Sequence, residues 1–198
     1  MAIDEVRLRE ALMRRQSEAF PALYDAYAHR VFGFAVHLTG DRSDAEDLTQ
    51  DTFVAAFQGR RNYCGRGTPL SWLLGIAVRR WRDARRRRHH LSAPTASGAT
   101  DESDSPSPDP SGPLLTIALR QELQRLPDDQ REAFLLVVSQ GLSYAEASAA
   151  TGVRTGTLKW RVQRAARHLR QKLFAQEEEP ANGLHTQMGR QVDVTGVE

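Results

Sequence analysis

Three blocks of charge and a few aromatic rings hold most of the chemistry available to this sequence. Between residues 60 and 90 stand Arg60, Arg61, Arg66, Arg79, Arg80, Arg82, Arg85, Arg86, Arg87 and Arg88, against a single acid, Asp83. Residues 154–172 hold Arg154, Lys159, Arg161, Arg164, Arg167, Arg170 and Lys172 and no acid. The formal net charge is nevertheless only +2, because acids gather elsewhere, with Asp41, Asp44, Glu46, Asp47 and Asp51 over residues 41–51. One basic run is ordinarily a solvated helix face. Two such runs, far apart in sequence and unbalanced by acids, fit a polyanion touched at two places. The acidic run cannot bind phosphate; beyond a solvated face, its use is docking on a basic protein surface. Tyr63 and Trp72, set among arginines, are suited to stack on unpaired bases, which requires the strands to be separated.

Other chemistries find no support. The histidines are His29, His37, His89, His90, His168 and His185. None stands at a ligand spacing with cysteine or carboxylates, so no metal site is expected. Cys64 is the one cysteine, which excludes an intrachain disulfide and a cysteine-built zinc site. There is no phosphate-cradling glycine loop and no nucleophile motif, so neither catalytic residues nor a cofactor are expected. Apolar runs are short, such as Phe134 to Val138, and cannot span a bilayer. Asp4, Glu5, Arg7 and Arg9 near the start are unlike an export signal, and the expectation is a soluble cytoplasmic protein.

The elements that position these groups read as entirely helical. Residues 91–113, rich in Ser, Pro, Gly, Ala and Asp, cannot bury enough surface to offset their ordering entropy and predict a flexible acidic linker. The stretch 175–198 reads as a disordered tail. Two ordered modules remain, 4–90 and 114–174. In the first, apolar residues at three- and four-residue steps predict a helix over 18–39, capped at Ser17 and ended by Gly40. Ser43 and Glu46 predict a capping box opening a helix to about Gln58. Thr68-Pro69 predicts a cap and first turn for a helix to about Arg88. In the second module the helices fall at 114–125, 128–139, 144–150 and 155–174, with a second capping box at Ser143 and Glu146. The short helix carries only Ala147, Ser148, Ala149, Ala150 and Thr151, which predicts a thin core there.

Helical periodicity sorts the side chains by face. Asp44, Asp47, Gln50, Asp51 and Val54 share one side of their helix, with Leu48, Thr52, Phe53, Ala56 and Phe57 on the other. On the helix after Thr68, Leu70, Leu73, Leu74, Ala77, Trp81 and Ala84 turn inward, while Trp72, Arg79, Arg82 and Asp83 lie opposite. On the last helix Leu158, Val162, Ala165, Ala166, Leu169 and Leu173 form the apolar stripe. Trp160, Arg164 and Arg167 point away, with Gln163 at that face's edge and Lys159 and Arg161 beside it. A short helix, a glycine turn and a basic second helix form a helix-turn-helix pattern.

Asp44-Ala45-Glu46-Asp47-Leu48-Thr49-Gln50-Asp51-Thr52-Phe53 resembles the core-binding segment of bacterial sigma factors of the sigma-70 family. Leu126-Pro127-Asp128-Asp129-Gln130-Arg131-Glu132-Ala133-Phe134, followed by Gly141-Leu142-Ser143-Tyr144-Ala145-Glu146, is similar to the start of their promoter-binding C-terminal domain. Gly156-Thr157-Leu158-Lys159 with Arg161 resembles the recognition helix. The two-module layout resembles the extracytoplasmic function (ECF) group.

The resemblance implies a role for each patch. Asp44, Asp47, Gln50, Asp51 and Val54 would dock on the clamp helices of the largest subunit of core RNA polymerase. Arg61, Tyr63, Arg66, Trp72, Arg79, Arg80 and Arg82 fall in the segment that melts and reads the minus-ten promoter element. Arg154, Thr155, Thr157, Lys159, Trp160, Arg161, Gln163, Arg164 and Arg167 would meet the minus-thirty-five element in the major groove. The flap of the second-largest subunit and an anti-sigma protein are further implied partners, and the linker would thread toward the polymerase channels. The implied function is promoter-specific initiation by an alternative factor that answers stress or another signal. The alternative reading is a stand-alone helix-turn-helix regulator, against which the acidic helix and the bipartite basic design count.

Overall fold

The computed structural model describes residues 5–16, 18–60, 63–65, 67–91 and 114–174. The expected linker, beyond Leu91, and the expected tail 175–198 lie outside them. Among the described residues every regular element is helical: α1 (Glu5–Met13), α2 (Ala19–Thr39), α3 (Arg42–Gln58), α4 (Pro69–Leu91), α5 (Leu114–Arg125), α6 (Asp128–Phe134), α7 (Tyr144–Thr151) and α8 (Thr155–Phe174). A π-helical turn, Leu135–Ser139, continues α6.

α2 organises the first group of helices. Its Leu23, Val31, Phe34, Ala35 and Leu38 are fully buried, and it packs against α1, α3 and α4. Burying one such large apolar side chain contributes roughly 1.5–3 kcal/mol. α1, which has no counterpart among the helices expected from periodicity, closes one end: Leu8 and Leu12 enter the core. The Arg9 guanidinium donates to the Gly65 carbonyl. α4 begins as its sequence predicts, with the Thr68 hydroxyl accepting from the Ser71 amide at 3.1 Å. α3 does not. Its cap is Asp41, whose carboxylate accepts from the Asp44 amide at 2.8 Å. Glu46 pairs with Arg42 instead of reaching back to Ser43. An extended Asp41 immediately after Gly40 puts a capping carboxylate two residues upstream of the box that the sequence suggests. The Ser17 cap lies outside the described residues, and the N-terminal flank of α2, Glu18, makes no side-chain cap.

In the second group α6 packs along α8, and the Ser143–Glu146 capping box is present in full at the start of α7. Gly152 ends α7 in the left-handed region, φ 73°, where a side chain would be strained. The single helix expected over 128–139 is α6 plus the π turn, whose extra residue leaves Val138 exposed and turns the chain at Gln140.

The two groups do not stand apart as tethered modules. α7 lies on α4, while α5 and the π turn lie on α2. One apolar core runs through both groups. Gly75, inside α4, makes the approach possible: a Cβ there would sit 2.8 Å from the Ala150 carbonyl oxygen. The small side chains of α7, read as a thin core, form the complementary face. Arg30 donates to the Gln140 carbonyl at 3.0 Å, capping the exit of the π turn from the other group. Gln124 does the same for the His37 carbonyl at 2.8 Å.

Two stability predictions follow from these contacts. Asp41→Ala should cost about 1 kcal/mol in urea unfolding, and Ser43→Ala only a few tenths; a larger loss from Ser43→Ala contradicts the cap seen here. His37 has no partner for its Nδ1. Burial, with Arg120 beside it, holds its pKa below the ordinary 6.5. The unfolded chain therefore binds this proton first. Stability should fall as pH drops through the ordinary histidine range, and His37→Gln should flatten that part of the profile. An unchanged slope in the variant would place the titration elsewhere.

Candidate nucleic-acid interface

The outer face of α8 is as its periodicity predicts. Leu158, Val162, Ala165 and Leu169 are buried. Arg154, Thr155, Thr157, Lys159, Gln163, Arg164 and Arg167 are exposed. Trp160 is 52% exposed, with the Arg164 guanidinium 5.5 Å from its ring centroid. Lys159 stands 5.7 Å from the centre of the Tyr144 ring. Arg161 is the exception. It pairs with Asp129 at 3.0 Å and is mostly covered, so it ties α8 to α6. The first turn of α8 leaves amides unpaired at the positive end of the helix dipole, next to solvent-facing threonines. This face can sit in a major groove, its N-terminal part on base edges and the later arginines on phosphate.

The acidic side of α3 is also where it is expected, with Asp47, Gln50, Asp51 and Val54 exposed. Two features were not legible in the pattern. Asp44 is bridged to Arg88 of α4 at 2.9 Å, and a groove of about 470 Å³ runs between Asp44, Asp47 and Asp51 on one wall and Arg80, Arg87 and Arg88 on the other. The acidic and basic surfaces are therefore neighbours. On its other side the stripe borders an apolar groove of about 670 Å³ lined by Tyr24, Ala28, Phe32, Phe53 and Val54, with Glu46, Gln50 and His29 around it. Phe57, expected inside, is 44% exposed and stands edge-on to Phe20, with Arg60 over its ring. Residues missed from sequence, Tyr24 above all, extend the acidic surface with apolar contact area. Their signal was there, since the apolar stripe of α2 is wider than one packing face needs.

The loop before α4 and the start of that helix differ most from expectation. Arg61 and Arg66 lie outside the described residues. Tyr63 is buried at 6% exposure, with its hydroxyl 3.4 Å from the Gly67 carbonyl and burial pushing its pKa up. Trp72 is half-buried and packs on Tyr63, ring centroids 5.1 Å apart. Neither ring is presented to solvent as a stacking platform. Periodicity places Trp72 opposite the core only because it cannot see α1 and the loop that cover that side.

The basic face of α4 is divided. Arg80 is exposed, and Arg79, also exposed, is 3.4 Å from the Ala150 carbonyl. Arg82, expected opposite the core, reaches the second group of helices. Its Nε and Nη2 donate to the two oxygens of Glu132 at 2.8 and 2.6 Å, and its Nη1 lies 3.3 Å from the Thr151 carbonyl. Arg85 pairs with Asp128. Trp81, read correctly as core, is flanked by the guanidinium groups of Arg85 and Arg131. Glu132 is 1% exposed. Burial pushes its pKa up while Arg82 pulls it back. Among the described residues no cluster of His, Cys, Asp and Glu could hold a metal. Likewise no helix is long and apolar enough to cross a membrane.

Known proteins share this arrangement. The Sigma-70 region 2 family matches residues 23–90 and the Sigma-70 region 4 family residues 116–169. The RNA polymerase sigma factor CarQ of Myxococcus xanthus is 35% identical over 83% of this chain and 94% of that protein. The ECF RNA polymerase sigma factor SigE of Mycolicibacterium smegmatis is 35% identical over 78% of this chain and 62% of that protein. Among solved structures, the sigma factor RpoE in complex with the anti-sigma factor NepR, from Bartonella quintana, is 30% identical and superposes with a TM-score of 0.70. That match covers 78% of this chain and 96% of that one.

The burial pattern separates the aromatic rings by role. Tyr63→Ala should lower stability by about 3–5 kcal/mol, as other large aromatic truncations in cores do. Trp160→Ala should change it by no more than about 0.5 kcal/mol. Thermal unfolding of the two variants checks this; a stable Tyr63→Ala protein would contradict the buried ring.

Proposed function

The chain belongs to the sigma-70 family, in its ECF group, and is a promoter-specific initiation factor that binds RNA polymerase; from that premise we propose how its surfaces divide the work. The exposed face of α3, Asp47, Gln50, Asp51 and Val54 with Asp44 at its edge, docks on the clamp helices of the largest polymerase subunit. The apolar groove beside it, walled by Tyr24 and Phe53, adds desolvated contact area to a charge-steered encounter. The outer face of α8 reads the minus-thirty-five element, with Lys159 and Trp160 nearest the bases and Arg164 and Arg167 on the backbone. α4 and the loop before it act on the minus-ten element: Arg79, Arg80 and Arg82 hold the strand, while Tyr63 and Trp72 shape the loop that carries Arg61 and Arg66. Base stacking by either ring would need the loop to move off α1. The second module also meets the flap of the second-largest subunit.

Family members are non-enzymatic initiation factors, and this chain does no chemistry of its own; the polymerase supplies it. It works in the cytoplasm, where the polymerase is. RpoE of Bartonella quintana is held by an anti-sigma factor, and we propose the same class of regulator for this chain, as expected of a signal-responsive factor. The observation that supports the division best is the coexistence of an exposed acidic face on α3 and an exposed, acid-free basic face on α8. A stand-alone DNA-binding regulator has use for the second alone.

Asp47→Arg and Asp51→Arg should weaken core polymerase binding at least tenfold at low salt, with native helicity, and the loss should shrink as salt rises. Equal affinity for wild type and variant would sink the docking assignment. On promoter fragments with a randomised upstream element, Lys159→Ala or Trp160→Ala should change the preferred sequence. Arg167→Ala should weaken binding evenly and reduce the salt slope by about one. Promoter DNA retained equally well without core polymerase would favour the stand-alone regulator.

A further inference from the structure

α4 is the one element that the first group of helices turns toward both nucleic acid and the second group. Its arginines already hold oxygen ligands of the kind a nucleic-acid backbone offers. The two-pronged contact of Arg82 with Glu132, at 2.8 and 2.6 Å, is the geometry by which a guanidinium takes a phosphate. Arg85 holds Asp128. Arg79 and Arg82 also approach the carbonyls of Ala150 and Thr151, in the last turn of α7, where the helix dipole is negative. We propose that Glu132, Asp128 and the C-terminal end of α7 are internal surrogates for nucleic-acid phosphate. In the closed chain they occupy the α4 arginines, and a polyanion must displace them to reach that helix. The proposal rests on the assignment of α4 to promoter DNA.

The site is built for such an exchange. Arg82 and Arg85 remain about a third exposed, so an incoming phosphate can approach them from solvent, whereas Glu132 is covered. The approach of α7 depends on Gly75 having no side chain, since the only atoms a Cβ there would meet belong to Ala150. The contact is thus adjustable at a position that the packing of the first group does not use. The outer face of α8 stays open in the closed chain, with Lys159, Trp160, Arg164 and Arg167 exposed. Closure therefore restrains one nucleic-acid surface and spares the other.

The test is the affinity of the free full-length chain for a fluorescent single-stranded oligonucleotide. Glu132→Gln removes the surrogate charge while keeping its shape, and Gly75→Leu wedges α7 off α4 without changing charge. Each should tighten binding about tenfold, the gain expected when roughly a tenth of the wild-type chain is open. Glu10→Gln, an equal charge change on exposed α1, should stay within twofold. Adding Arg82→Ala to Glu132→Gln should abolish the gain. Unchanged affinity in both Glu132→Gln and Gly75→Leu, with native helicity, overturns the proposal, as does a gain that survives Arg82→Ala. The assignment beneath it is tested separately: Arg82→Ala should impair promoter melting by the polymerase-bound factor, scored by permanganate reactivity. If melting is normal, α4 is wrongly assigned to DNA whatever the oligonucleotide does.

Discussion

The structure turns on the pairing of Arg82 with Glu132 beneath the contact of Gly75 with Ala150. A carboxylate at 1% exposure is tolerable only with its charge met and its oxygens bonded, and Arg82 meets both conditions at once. The guanidinium comes from the first group of helices and the carboxylate from the second, so neither group satisfies this site alone. Around it lie Trp81 between two arginines, Arg30 on the Gln140 carbonyl and Gln124 on the His37 carbonyl. The interface is rich in charge and in carbonyl caps, and its apolar part is joined to the core. Such an interface holds in a closed chain and yields to competing ions or to a better partner more readily than an apolar one.

Function asks the two groups to separate. Elements named for positions minus ten and minus thirty-five are about 25 base pairs apart, about 85 Å along a duplex at 3.4 Å per base pair. α4 and α8, of 23 and 20 residues, span only about 65 Å even laid end to end. In the closed chain both helices belong to one packed body. Holding both elements at once therefore needs the α4–α7 contact open. The exposed acidic face of α3, adjoining α4 across a shallow groove, would bring polymerase close to the helix whose arginines must be freed.

How much of this was legible in the sequence follows from what periodicity records. Helix faces set within one module were read correctly: the stripe of α8, the exposed side of α3, Trp81 inward and Trp160 outward. The capping box at Ser143 was right because its partners are three residues apart. Whatever depended on another element was not legible. Asp41 displaced the Ser43 box because Gly40 sets the backbone before it. Tyr63 and Trp72 were assigned to solvent because α1, which covers them, has too weak an apolar pattern to stand out. Arg82 looked like a free DNA contact because its partner lies fifty residues away. The small side chains of α7 were visible as a peculiarity of the helix-turn-helix, but only Gly75 on the facing helix explains them.

The most direct measurement is a single distance. Dyes on Gln58, at the exposed end of α3, and Gln171, exposed on α8, report the separation of the two groups by energy transfer. The account predicts one short distance in the free chain and a much longer one in the complex with core polymerase and promoter DNA. The same distance in both states, or a long distance in the free chain, would contradict it.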